Sequence, residues 1–206
     1  MKHKRLRAHN RISFFSSQEA TGVLATFGAG NALGVISSGF IGHYAYKKDI
    51  RLPPIIMGTS LLLSCIPMYF LINKVDGDSS VASVAAVALL TGFLSVIPVP
   101  IERAILTNVT VPNARGRANS LLGIIDDLGK GLGPALVSIL IQAFDRPTAF
   151  NISLIGWVIG GFISFVMIKF VQRDEDQVQS RVRNYIIQEE GLTESEIVEA
   201  GQIGSS

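Results

Sequence analysis

The chain alternates between long apolar stretches and short polar connections. Residues 53–73, 81–101 and 147–168 contain no Asp, Glu, Lys or Arg. Two further stretches, roughly 20–46 and 118–144, are mostly apolar but carry Gly and Ser, and the second also holds charges. Each exceeds the ~20 residues a helix needs to cross ~30 Å of hydrocarbon at ~1.5 Å per residue. Strand-type alternation is missing, and lipid admits only helices or closed barrels as spanning structures. The pattern therefore predicts an all-α, multi-pass integral membrane protein with about five transmembrane helices: Ala20–Tyr46, Pro53–Asn73, Val81–Glu102, Ala118–Phe144 and Pro147–Ile168.

Prolines refine the boundaries. Pro53, Pro54 and Pro147 stand at span starts, where a missing N–H costs little. Pro98, Pro100 and Pro134 lie within spans and are expected to kink or loosen them rather than begin them. Small-xxx-small spacing at Gly30–Gly34 and Gly156–Gly160 points to close helix packing. The expected organisation is a basic segment over 1–17, a membrane domain over 18–171 and a polar tail over 172–206. Within the tail, Thr193–Glu196 has capping-box spacing.

Composition agrees with this picture. Charged residues make up 17% of the 206, against about 25% in a typical soluble domain. The net charge of +2 gives no electrostatic footprint for nucleic acid. Cys65 is the single cysteine, and His43 has no second ligand near it, so no disulfide framework, metal site or cofactor is expected. Lys47, Lys48, Arg51, Arg103, Arg115, Arg117, Lys169, Arg173, Arg181 and Arg183 fall in or beside the first and third loops and the tail. The other two loops hold only Lys74 and Arg146. The positive-inside rule then puts the first and third loops and the C-terminus in the cytoplasm. Five spans would leave Met1–Ser17 outside despite Lys2, Lys4, Arg5, Arg7 and Arg11. The expectation is that the chain is a piece of something longer.

Candidate chemistry sits in the fourth span. Asp126, Asp127 and Lys130 lie about 12–18 Å along a helix that starts near Ala118. The i,i+4 and i,i+3 spacings bring both carboxylates within reach of the one ammonium. Charges at such depth face a protein or water-filled interior and are functional by default. One Lys cannot neutralise two carboxylates, which leaves one able to bind and release a proton. An internal ion pair that fixes helix packing is the alternative. Glu102 and Arg103, after Pro98 and Pro100, form either a gate pair or an interfacial anchor. The spans with polar, Pro and Gly signals (the first, third and fourth) are expected to line an interior, and the second and fifth to face lipid.

Three stretches resemble motifs of the major facilitator superfamily. Gly39-Phe-Ile-Gly42-His43-Tyr-Ala-Tyr-Lys47-Lys48 resembles the glycine-rich basic motif that follows the second helix of each half. Asn108-Val-Thr-Val-Pro112-Asn-Ala-Arg115-Gly116 resembles the Pro…Arg-Gly loop between helices 10 and 11. Ile125-Asp126-Asp127-Leu-Gly-Lys130-Gly-Leu-Gly-Pro134 is similar to the helix-11 signature of a spinster-like branch. The resemblance covers about residues 18–172. It implies part of the C-terminal half of a twelve-helix carrier, helices 8 to 12, acting in a lipid bilayer on a small organic or lipid-like solute, often with protons. It also implies a partner for the exposed helix faces, either the missing N-terminal half or a second copy. His43 stands where the family motif usually has Asp, so that acid's charge contact does not carry over. A truncated, non-transporting membrane protein packed against partner helices is the second reading. A membrane-embedded enzyme finds no supporting Ser-His, Cys-His or metal-ligand arrangement.

Overall fold

The computed structural model describes residues 17–75 and 79–190. The basic segment expected over 1–17 (all but Ser17) and the capping-box spacing at Thr193–Glu196 lie outside the described residues. The described chain is helical: α1 Ser17–Lys48, α2 Leu52–Asn73, α3 Val81–Val96, α4 Pro98–Asn108, a single 3-10 turn Pro112–Ala114, α5 Arg115–Ala143 and α6 Arg146–Glu190. No strand occurs among the described residues.

Among the described residues, four segments are long and apolar enough to cross a membrane: Gln18–Lys48, Leu52–Asn73, Val81–Asn108 and Arg146–Tyr185. The fourth of the expected spans falls on α5. Its 29 residues reach about 43 Å, ample for a bilayer, but Asp126, Asp127, Lys130 and the two arginines of its first turn keep it out of the apolar set. The third span is longer than the expected Val81–Glu102, because helix resumes after Ile97 and continues to Asn108. Ahead of Pro98 and Pro100 the span is interrupted at Ile97, which keeps helical angles of φ −50° and ψ −41°, so the prolines loosen it without ending it, as missing N–H donors do. Pro67 and Pro134 lie inside α2 and α5 without ending them.

The composition change at Gln172 does not end α6. No Gly or Pro occurs between residues 162 and 190, and Glu, Gln and Arg are good helix formers. The 45-residue helix measures about 68 Å, roughly twice the hydrocarbon thickness, so its last turns project beyond the lipid. The turn between α1 and α2 is made by Asp49. Its carboxylate accepts the Arg51 N–H at 2.8 Å, an Asx-type turn, and Pro53 and Pro54 then open α2.

Two glycine seams organise the bundle. α1 lies against α3, and a Cβ at Gly30 would collide with the Leu89 carbonyl, one at Gly34 with Phe93, and one at Gly92 with the Phe27 carbonyl. Backbones this close require the smallest residue on both sides. α2 lies against α6 in the same way, a Cβ at Gly58 falling 2.8 Å from the Gly161 carbonyl. Of the Gly156–Gly160 pair only Gly160 joins this seam, its Cβ falling 3.2 Å from the Leu61 side chain, beside Gly161. Gly156 faces open space, because the register of α6 on α2 turns it away. At the Lys47 end, Met57, Ile97, Ile101, Ile105 and Val171 close an apolar core that joins α2, α4 and α6.

Candidate functional site

α5 differs from every other helix of the bundle. It has no buried residue and touches mainly α4 and α6. Around its circumference the sequence makes three faces at helical spacing. Leu121, Ile125, Leu128, Leu132, Leu136 and Ile139 form an exposed apolar face. Ala118, Leu122, Asp126, Gly133, Val137 and Leu140 are half-covered. Gly116, Ser120, Asp127, Lys130, Gly131, Pro134 and Ser138 form a third face, which is also exposed. In a membrane the first suits lipid. The third does not, because a charged side chain against hydrocarbon costs at least ~2.5–3.5 kcal/mol.

The ion cluster sits at the border of the covered and polar faces. Lys130 Nζ donates to Asp126 Oδ2 at 3.0 Å and lies 3.9 Å from Asp127 Oδ1. Arg103 of α4 brings a second cation, its Nη2 3.8 Å from Asp126 Oδ2. The two carboxylates are therefore unequal. Asp126 is shared by two cations and its side chain is 40% exposed, whereas Asp127 meets only the far edge of Lys130 and is 84% exposed. Sequence spacing gives the Asp–Lys contacts but not Arg103, which lies in another helix. Glu102 is half-buried next to Arg103, inside the third span rather than at its end, and its carboxylate interacts electrostatically with Asp126 and Arg103.

The glycine-motif residues gather elsewhere. Ser38, Gly39, Gly42, His43 and Tyr46 of α1 face Pro100, Ile101, Ala104 and Asn108 of α4 across a half-open cavity of about 340 Å³. Gly42 allows the approach to Ile101, since its Cβ would lie 3.3 Å from that side chain. Lys47 and Lys48 close α1 and are exposed. Arg115 Nε donates to the Thr110 carbonyl at 3.3 Å and so braces the loop before α5. Gly116 meets nothing within 4 Å. The motif residues and the ion cluster do not touch; α4 separates them, with the cavity on one face and Arg103 on another.

Other polar contacts have no local signal in the sequence. Tyr46 Oη donates to Glu175 Oε2 at 2.9 Å, and Arg51 Nε donates to Gln172 Oε1 at 3.1 Å. Both tie the α1–α2 corner to the projecting part of α6. At the opposite end, Asn73 and Asn151 exchange amide hydrogen bonds of 2.9 Å in both directions. Asn151, which opens an Asn-Ile-Ser glycosylation triplet, is thus part of a helix–helix contact. Cys65 is half-buried, its thiol donating to the Leu61 carbonyl. Among the described residues, no group of three or more His, Cys, Asp or Glu is placed to hold a metal ion.

A bundle of long apolar helices beside one helix with an exposed charged face defines a polytopic membrane protein. The model of the Major Facilitator Superfamily matches residues 13–194, and the chain belongs to that family. A search of curated proteins returned no match.

Proposed function

We propose that the chain supplies the C-terminal helices, 8 to 12, of a spinster-like secondary carrier that moves a small organic or lipid-like solute with protons. It is a transporter component rather than an enzyme. The observation that carries this reading is the exposed polar face of α5, with Asp127 and Lys130 on a helix long enough to span the bilayer. Such a face requires water, a solute or protein opposite it. The ion cluster provides both signs of charge for solute contact and carboxylates for proton binding. α1 and α4 enclose the cavity beside the Gly39–Lys48 motif, where a gate would act. Arg51, Arg115, Arg117, Lys169 and Arg173 put the α1–α2 corner, the α4–α5 loop and the C-terminus in the cytoplasm.

Alternating access needs two halves that rock about a central site, and five helices supply less than one. Purified chain in liposomes is expected to accumulate no solute above empty vesicles. In cells, the native protein is expected near twice 22.1 kDa on a blot. There Asp127→Asn should lower transport while the amount of folded protein at the membrane stays unchanged. Equal loss of folded protein, with a native product near 22 kDa, favours the second reading: a non-transporting membrane protein whose α5 docks on partner helices. The absence of any buried residue on α5 is the observation behind that alternative.

A further inference from the structure

We infer that Arg103 is a positioning residue whose ion pair with Asp126 is a releasable latch holding α5 against the rest of the bundle. This rests on the carrier reading for its purpose, since a carrier needs a helix that moves. Its geometry stands independently. Every other long helix is fixed by packing: α1 on α3 and α2 on α6 through glycine seams, with side chains buried on each partner. α5 has no such seam. Its glycines at 116, 123, 129, 131 and 133 all face open space, and none of its residues is buried.

Among the described residues, Arg103–Asp126 is the ion pair that joins α5 to another helix. The side-chain hydrogen bonds of α5 are within the helix or to the loop before it, such as Asn119 to the Arg115 carbonyl, Ser120 to the Gly116 carbonyl, and Arg115 to the Thr110 carbonyl, and its remaining contacts with α4 and α6 bury none of its residues. At 3.8 Å the pair is about 1 Å longer than a formed charge-assisted hydrogen bond, a loose contact rather than a tight staple. Lys130 is already in place 3.0 Å from the same oxygen. When Arg103 leaves, Asp126 therefore keeps a cation, and release strands no carboxylate. A latch of this kind can open and close within a working cycle because its anion is never left alone.

Arg103 itself sits on α4, which starts at Pro98 immediately after the interruption at Ile97. The cavity at Gly39–Asn108 lines another face of the same short helix. Movement of α4 would thus reach both the cavity and the latch.

The test is a distance within the full chain. Spin labels at Val99→Cys on α4 and Leu121→Cys on α5, both exposed positions, are introduced with Cys65→Ser and read by pulsed EPR in lipid nanodiscs. Arg103→Gln is expected to broaden the α4–α5 distribution about two-fold, as a held helix becomes an ensemble. Asp126→Asn should do the same from the other side of the contact, and the double variant should go no further. Arg103→Lys should restore a narrow distribution, whereas Lys130→Gln, which removes the cation on α5 itself but leaves the Arg103–Asp126 contact between helices in place, should leave it narrow. An unchanged distribution in Arg103→Gln, or equal broadening in Lys130→Gln, overturns the latch. If Arg103→Gln does not fold, Asp126→Asn decides by the same criterion. The readout needs no solute, so broadening alongside absent transport by the native protein would sink the carrier reading alone.

Discussion

Glycine-to-alanine substitution should change sign between two helices of this bundle. At Gly30 a new Cβ would fall 3.0 Å from the Phe93 nitrogen and closer still to the Leu89 carbonyl. Ordinary contact needs ~3.5–4.0 Å, so α1 and α3 must part by something approaching 1 Å. The displaced atoms are backbone on both sides and cannot swing away as a side-chain tip would. Overpacking of this sort costs ~1–3 kcal/mol, and the better helix propensity of Ala returns ~1 kcal/mol. Because backbone cannot yield, the cost lies at the upper end of that range and the net destabilisation is on the order of 2 kcal/mol. At Gly123 on α5 a Cβ meets nothing within 4 Å, so only the propensity gain applies and Gly123→Ala should stabilise by up to ~1 kcal/mol. Reversible unfolding in mixed micelles, followed by circular dichroism over a denaturing-detergent series, measures both. A Gly30→Ala chain as stable as wild type would refute the backbone-contact account of the α1–α3 seam. Loss of stability in Gly123→Ala would refute the open α5 face.

Asn151→Ala removes both bonds of the Asn73 pair and should destabilise by about 0.6–2 kcal/mol, the range for interhelical polar contacts in membranes. Asn73→Ala should cost about the same and the double variant little more, which a double-mutant cycle in the same unfolding assay would check. Asn151 should also stay unglycosylated when the chain is made in microsomes; a mass shift removed by Asn151→Gln would contradict its place in the helix contact. Asp145 caps the start of α6, accepting the Thr148 hydroxyl at 2.7 Å, and this bond together with the backbone N–H groups holds its carboxyl below the ordinary 3.8. A depressed folded value means the unfolded chain binds more protons in that window. The cap's contribution is then complete above the ordinary aspartate range and disappears as pH falls through the lower, folded value. Acid unfolding should show wild type losing its advantage over Thr148→Val at low pH, and a constant difference would argue against the cap.

Much of this protein was legible without a structure because it follows from local rules. Charge-free stretches at 53–73, 81–101 and 147–168 become helices since lipid leaves the backbone no other way to satisfy its hydrogen bonds. Asp126 and Lys130 meet because four residues is one helical turn. Pro53 and Pro54 begin α2 because helix starts tolerate them. The continuation of α6 past Gln172 was also written locally, in the lack of Gly and Pro before Gly191, although the change to polar residues obscured it.

What remained was decided between helices. Gly30 and Gly123 are both glycines in membrane-length helices, and only the neighbour opposite each separates a seam from an open face. Gly156 and Gly160 have the spacing of a packing motif, yet α2 meets Gly160 and Gly161 and leaves Gly156 open, because crossing geometry and not spacing selects the contact. Arg103 lies 23 positions from Asp126 and Asn73 lies 78 from Asn151. No periodicity within one helix encodes such pairs; they exist only once the helices have settled their relative register. The charge of the candidate site was therefore set by the sequence of α5, while the division of labour between its two carboxylates came from the approach of α4.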